Sequence, residues 1–401
     1  MPLIFLLLDD AATLLRWLHV VAAMVWVGSA FALARLDLGM RPRESDPRPQ
    51  SLLLHAGAGF RFSRAEQADA EEPPLNFKWE AYATWASGFA LICLIFCASP
   101  RLYLIDPQLW DAPGWAANAL ALALLPLAWL AYDVLCKRSG LRGDNLLAAL
   151  LVFAAALALA LTCVFAGRGA WMLLGAILAT LMAANIAHAI VPAQRRRLLS
   201  LREGRAADPA DAQFAASRAL HNQYLALPVV FFMLSGHAPL LFAGAHNGGA
   251  AMLFLAAGFA IRRFFLQRAR RLGSDWRLAG AAAGLIGLAL ILSAPRALPE
   301  DHAAVESAGQ AIALVLHSGP AEAQTIIERH CVLCHAARPE FEGLFRAPAG
   351  LDLQDLGKLE RFRATILRVS VYSNAMPPPG AAAPLDLNEK QALLRWAQAV
   401  R

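Results

Sequence analysis

Long apolar runs alternate with short polar connections along most of the chain, and the alternation ends near position 295. Eight runs are long enough, or nearly so, to cross a hydrocarbon core of about 30 Å. They are Leu14–Ala34, Trp79–Ala98, Trp115–Cys136, Leu146–Ala166, Trp171–Val191, Tyr224–Ala243, Ala250–Leu266 and Leu278–Ala294. Arg262 and Arg263 cut into the seventh run, and the eighth is short. The first run follows Asp9 and Asp10 and has no basic start, so it reads as a span and not as a signal peptide. The pattern predicts an all-α fold: an eight-helix transmembrane bundle followed by a small soluble domain.

The connections differ in charge. The first, third, fifth and seventh carry clusters such as Arg41, Arg43 and Arg48, then Lys137, Arg138 and Arg142, then Arg195, Arg196 and Arg197, then Arg268, Arg270 and Arg271. The second and fourth carry only Arg101 and Arg168, and the sixth carries none. Basic connections stay in the cytoplasm, so the odd ones are expected inside and both termini outside. The first connection, Leu36 to Lys78, is long for a loop and is expected to have structure of its own.

Composition supports a membrane protein and excludes a wholly soluble one. Of 401 residues, 58% are hydrophobic and 16% charged. The net charge of +6 is accounted for by arginines beside the spans, so it does not call for a nucleic-acid partner. Of six cysteines, Cys93, Cys97, Cys136 and Cys163 sit in or beside apolar runs and read as packing residues.

The other two lie in Cys331-Val332-Leu333-Cys334-His335, the attachment signature of a c-type haem. Two thiols form thioethers with the vinyl groups, and the imidazole becomes an iron ligand. Met376, in Ala375-Met376-Pro377-Pro378, is the expected second axial ligand, with the prolines holding its loop extended. A zinc half-site or a redox dithiol would need partners that this segment lacks. Leu387 to Val400 reads as a closing amphipathic helix, and Pro295 to about Ala323 as a tether with a short helix near Ala308–Leu316. The expected organisation is therefore a membrane domain at 1–295, a linker at 296–322, and a class I-like cytochrome c domain at 323–401. Covalent haem attachment takes place outside the bacterial inner membrane. That locates the C-terminal domain, and by the span count the N-terminus, in the periplasm.

Ionisable groups inside spans are costly and are functional candidates. His19 and His237 fall in the outer halves of the first and sixth spans. One reading makes them axial ligands of a b-haem; the other has each bonding a carbonyl on a neighbouring helix. A second group gathers at the cytoplasmic end: Glu80, Asp133, Asn185, His188, His221, Asn222 and Tyr224, with His55 in the inner connection. Acids, imidazoles, amides and a phenol in one layer suit a polar heterocycle and proton transfer. Taken singly, each also suits helix capping or interfacial anchoring.

Several strings are similar to those of a known family. Lys78-Trp79-Glu80-Ala81-Tyr82-Ala83-Thr84-Trp85, Leu102-Tyr103-Leu104-Ile105-Asp106-Pro107, Tyr132-Asp133-Val134-Leu135-Cys136 and Leu220-His221-Asn222-Gln223-Tyr224 resemble the membrane-bound urate hydroxylases of the PuuD type. In that family an N-terminal urate oxidase membrane domain is fused to a cytochrome c. The resemblance implies an oxidoreductase converting urate to 5-hydroxyisourate, with electrons passing to the attached haem and on to a respiratory-chain acceptor, a cytochrome c or a terminal oxidase. The expected catalytic group is His221, Glu80, Asp133, Tyr224 and Asn222; the expected haem residues are Cys331, Cys334, His335 and Met376, with His19 and His237 for a b-haem relay. A competing reading is an electron-transfer subunit between quinol and soluble carriers, without purine chemistry. It has no need of the acid–imidazole–amide layer.

Overall fold

The computed structural model describes residues 2–43, 46–64, 77–206, 208–270, 273, 275–294, 320–341, 344, 346–354 and 356–399. Helices dominate, as the apolar runs predict. The first part contains α1 (Pro2–Gly39), α2 (Lys78–Leu91), α3 (Pro100–Tyr103), α4 (Gly114–Arg138), α5 (Gly143–Val164), α6 (Gly167–Asn185), α7 (Val191–Arg202), α8 (Pro209–Leu234), α9 (Pro239–Phe242), α10 (Asn247–Ala269) and α11 (Trp276–Ser293). Beyond it lie α12 (Pro320–His330), α13 (Leu356–Ile366) and α14 (Leu387–Ala399), the last of these the expected closing helix.

Among the described residues seven helical stretches are long and apolar enough to cross a membrane, and each coincides with an expected run. The run expected at Tyr224–Ala243 is different. It breaks at Ser235–His237, and its helix starts far earlier, at Pro209, where Asp208 caps it by accepting from the Ala210 amide at 2.8 Å. The resulting 26-residue helix carries Arg218, His221, Asn222 and Gln223 across its middle. Lipid would not tolerate that row. Neighbouring helices cover it instead: Arg218, His221, Tyr224, Leu225 and Phe232 are all buried.

Small residues let α6 become the centre. Two-thirds (67%) of its most apolar window is buried, against 11% for α1, so α6 faces protein and α1 faces lipid. A Cβ at Gly175 would stand 3.0 Å from Phe232, and one at Gly169 would fall on the Tyr103 carbonyl. Such close approach is what holds helices together where both sides of an interface are equally apolar. Trp171, fully buried, fills the space beside α8 and α10 with Phe232 and Phe254, at ring separations of 5.4 and 6.2 Å.

The long first connection has its own structure, as expected. It forms an antiparallel sheet in the order β1 (Arg41–Arg43), β2 (Asp46–His55), β3 (Ala58–Ser63). Ala56 and Gly57 make the hairpin turn with φ of 48° and 81°, the left-handed pair that a two-residue turn between twisted strands requires. His55 is thus the last residue of an exposed strand and not part of a helix layer.

A second hydrophobic core gathers Ile327 from α12, Leu359 and Ile366 from α13, and Leu393 and Trp396 from α14. It lies at the end of the bundle that carries the second and fourth connections. There Gly380 packs directly on the Arg101 and Ile105 carbonyls. The expected helix at 308–316, and 296–319 of the expected linker, lie outside the described residues.

Close packing at α8 and α10 generates a prediction. Gly258 faces the Pro228 ring, 2.9 Å from where a Cβ would sit, whereas Gly280 in α11 faces open space. Gly258→Val should lower stability in detergent by about 1–3 kcal/mol, visible as a reduced Tm. Gly280→Val should leave Tm nearly unchanged, and equal effects would contradict this packing.

Candidate functional site

Two sites emerge, at opposite ends of the bundle. The first is built where α6 ends. Asn185 is its last α-helical residue and is followed by an i→i+5 turn, Ile186–Ile190, a local widening that often accompanies function. Asn185 is 2% exposed and uses its amide nitrogen twice, donating to Tyr132 Oη at 3.0 Å and to Asn222 Oδ1 at 2.8 Å. Asn222 in turn donates to the Met182 carbonyl at 3.0 Å. Tyr132 and His221 are joined at 2.7 Å, phenol oxygen to Nδ1. Because Tyr132 already accepts from Asn185, its own proton goes to His221 Nδ1. The neutral imidazole then carries its proton on Nε2.

Beside this group lies a buried cation. Arg218 is 2% exposed, stands 4.9 Å above the Tyr132 ring, and donates to Asp133 Oδ1 at 2.7 Å. Asp133 also pairs with Lys137 at 2.7 Å. Arg218 Nη1 is buried without a hydrogen-bond partner. One helix away, Arg262 donates to Gln223 at 2.8 Å, stands 4.5 Å over Phe31, and leaves its Nε unpartnered. Buried guanidinium groups seldom lack partners. The buried, unpartnered Nη1 of Arg218 makes its surroundings receptive to an anion.

Of the sequence-predicted group, Asp133, His221 and Asn222 come together through Tyr132, Asn185 and Arg218. Tyr224 is buried but packs on Phe259, ring centroids 5.3 Å apart. Glu80 has a buried, unpartnered Oε2 and no hydrogen bond to the cluster among the described residues. His188 is exposed and stacks on Trp129 at 4.9 Å. Sequence reasoning passed over Arg218 because it precedes the apolar run. The signal was helical spacing: Arg218, His221 and Asn222 stand three and four apart, hence on one face.

The second site surrounds the Cys-x-x-Cys-His motif. The motif follows α12 on a tight turn, with the His335 amide donating to the Cys331 carbonyl at 2.8 Å. A cavity of about 1,030 Å³ is lined by Cys331, Cys334, His335 and Met376. His335 Nδ1 donates to the Leu351 carbonyl at 3.0 Å, leaving Nε2 directed elsewhere. Burial pushes the His335 pKa down and that of Cys331 up to about 12, so imidazole and thiol are both neutral before any covalent chemistry. The Met376 loop is a series of bends with a cis Met376–Pro377 bond, not the extended segment expected. It is anchored by the Met376 amide donating to Val369 at 2.9 Å. These donors fit a c-type haem: two thiols, an oriented imidazole and a thioether around one space of adequate size. Arg16, Tyr103 and Arg168 of the helical bundle complete the cavity wall.

A smaller cavity, about 350 Å³, lies deeper, and both His19 and His237 line it. His19 Nδ1 donates to the Thr84 carbonyl at 2.9 Å, as one of the two sequence readings expects.

Asp133 and Arg218 supply a test of the first site. Asp133→Leu should cost about 3–5 kcal/mol, because it strands a buried guanidinium, and adding Arg218→Met should restore most of that loss. Thermal unfolding of the three variants checks this; a double variant no better than Asp133→Leu would remove the pair from the site's support.

A family model described as urate oxidase N-terminal matches residues 5–293. No curated protein and no solved structure matches the chain.

Proposed function

The chain belongs to the urate oxidase N-terminal family, and from that membership we propose that it oxidises urate to 5-hydroxyisourate and passes the electrons to a c-type haem on its own C-terminal region. The observation that carries this reading is the buried Tyr132–His221–Asn185–Asn222 group beside the partnerless Nη1 of Arg218. The overall change adds one water to urate and releases two protons and two electrons. Urate is an anion at neutral pH, and Arg218 with Arg262 supplies its counter-charge in a region of low dielectric. Removing a further proton requires a base, and an imidazole buried beside the polar cluster is the candidate. The chemistry assigns the base to His221 acting through Tyr132: the imidazole's lone pair on Nδ1 faces the phenol, so Tyr132 would hand its proton to His221 and take one from the substrate side. Asn222 keeps one amide N–H, and Asn185 its amide oxygen, for the carbonyl and N–H edges of a purine. Asp133 acts through Arg218, fixing the guanidinium.

At the other end Cys331 and Cys334 would hold the haem covalently, with His335 Nε2 and Met376 Sδ on its iron. That group supplies one-electron acceptance, and a His/Met pair sets a high potential suited to it. Residues 1–295 form the membrane domain, 296–322 a linker and 323–401 a cytochrome c domain. The chain lies in the bacterial inner membrane with both ends in the periplasm, and a cytochrome c or a terminal oxidase takes the electrons onward. Basic residues favour this orientation: Arg263 pairs with Asp144, and Arg196 with Asp211, at the end opposite the haem motif.

Urate added to the anaerobic, purified protein should reduce the c-haem. His221→Ala should abolish that reduction while leaving haem content and dithionite reduction intact; a near-normal rate would refute the assignment. Met376→Ala should keep the haem covalently attached and lower its potential. An unchanged potential and ligand-field spectrum in that variant would remove Met376 from the iron.

A further inference from the structure

We propose that the cavity between α1, α2 and the outer end of α8 holds a second, non-covalent haem of the b type, with His19 and His237 as its axial ligands. This rests on the function proposed above, in which electrons leave a cluster at one end of the bundle and reach a haem at the other.

The separation creates the need. Arg168, beside the c-haem cavity, and Asn185, in the cluster, stand at opposite ends of the 19-residue α6. At 1.5 Å per residue that is about 25 Å. Electron tunnelling decays exponentially with distance, so an interval of this size calls for an intermediate stop. Thr180 marks where one can sit. It lines the His19 cavity and lies on α6 about 8 Å from Asn185 and about 18 Å from Arg168.

The cavity has the chemistry of a haem site. About 350 Å³ in volume, it is walled by Trp26, Trp85, Phe89, Met172 and Met233, apolar and flat surfaces suited to a macrocycle. His19 is held as a ligand is held. Its Nδ1–H donates to the Thr84 carbonyl at 2.9 Å and lies 3.1 Å from Ser87 Oγ, which fixes the ring and leaves the Nε2 lone pair free. Gly88 makes this possible: a Cβ there would be 2.8 Å from His19 Cε1. His237, in the turn after α8, lines the same cavity from a different helix. Arg16, one turn before His19, lines both this cavity and the one containing His335, where a guanidinium can pair with haem carboxylates.

The electron count is simple. Urate gives up two electrons, one at a time; each reduces the b-haem iron from ferric to ferrous and then passes to the c-haem iron. A one-electron protein carrier or oxidase outside the membrane reoxidises the c-haem.

The test uses the full chain purified in detergent. Acid-acetone extraction with pyridine haemochrome analysis should give about one extractable b-haem per c-haem retained. His19→Ala should lose the b-haem while the c-haem remains reducible by dithionite. His237→Met should keep the b-haem with a changed ligand-field spectrum and a raised potential. Since His237 is exposed, this second variant is expected to fold even where His19→Ala does not. Protein that reduces its c-haem with urate but contains no b-haem would overturn the proposal and leave the urate reading intact; co-purified quinone without b-haem would overturn it too. So would b-haem that survives His19→Ala and is spectrally unmoved by His237→Met. A b-haem that follows His19 but is not reduced by urate would uphold the site and sink the urate reading.

Discussion

A guanidinium removed from water must find a counter-charge, and much of the bundle is arranged around that demand at Arg218. Its partner Asp133 is on α4, one residue after Tyr132, so the ion pair ties α8 to α4 through side chains. That brings the Tyr132 phenol to His221, three residues along α8 from Arg218. Asn185 then closes the group from α6. Each polar group here is affordable inside the bilayer only because another satisfies it, and Arg218 Nη1 is the position left over. An anionic substrate would complete the set, which ties the packing of the bundle to its chemistry.

The central position of α6 governs the rest. Its glycines and alanines let α2, α4, α5 and α8 approach closely, and its length sets the interval between the polar cluster and the cavity around His335. The C-terminal region is fastened to the same framework: Gly380 on the Arg101 and Ile105 carbonyls, and Tyr103 and Arg168 in the cavity wall. Under the proposed function, electrons leaving the bundle would therefore have a fixed, not a diffusing, receiver.

Much of this was legible in the chain. Apolar run length marked seven membrane helices, six of them within a few residues at each end, since lipid imposes one dominant constraint on composition. Cys-x-x-Cys-His and the following methionine came to line one cavity. The cluster was harder. Hydropathy began the sixth run only at Tyr224 because Arg218, His221 and Asn222 look like a solvated loop, and only tertiary burial makes them a helix interior. Glu80 and Tyr224 share the depth of the cluster but not its hydrogen bonds, because depth along the membrane normal is readable from sequence and rotation about a helix axis is not. The β-sheet of the first connection likewise carries no clear alternation, its β3 residues being exposed on both faces.

The histidines show how finely the fold divides one residue type. In His19 and His335 the Nδ1–H donates to a backbone carbonyl, of Thr84 and Leu351, leaving Nε2 as a lone pair for a metal. In His221 the relation is reversed: Nδ1 accepts from the Tyr132 phenol, and the proton resides on Nε2. A ring held by a carbonyl keeps one tautomer and a fixed aim, as a ligand needs. A ring held by a phenol has a partner that can itself give up or regain a proton, so His221 can change protonation without losing its orientation. The same side chain is thus held by a carbonyl in two places and by a phenol in the third, and what separates them is which atom faces Nδ1.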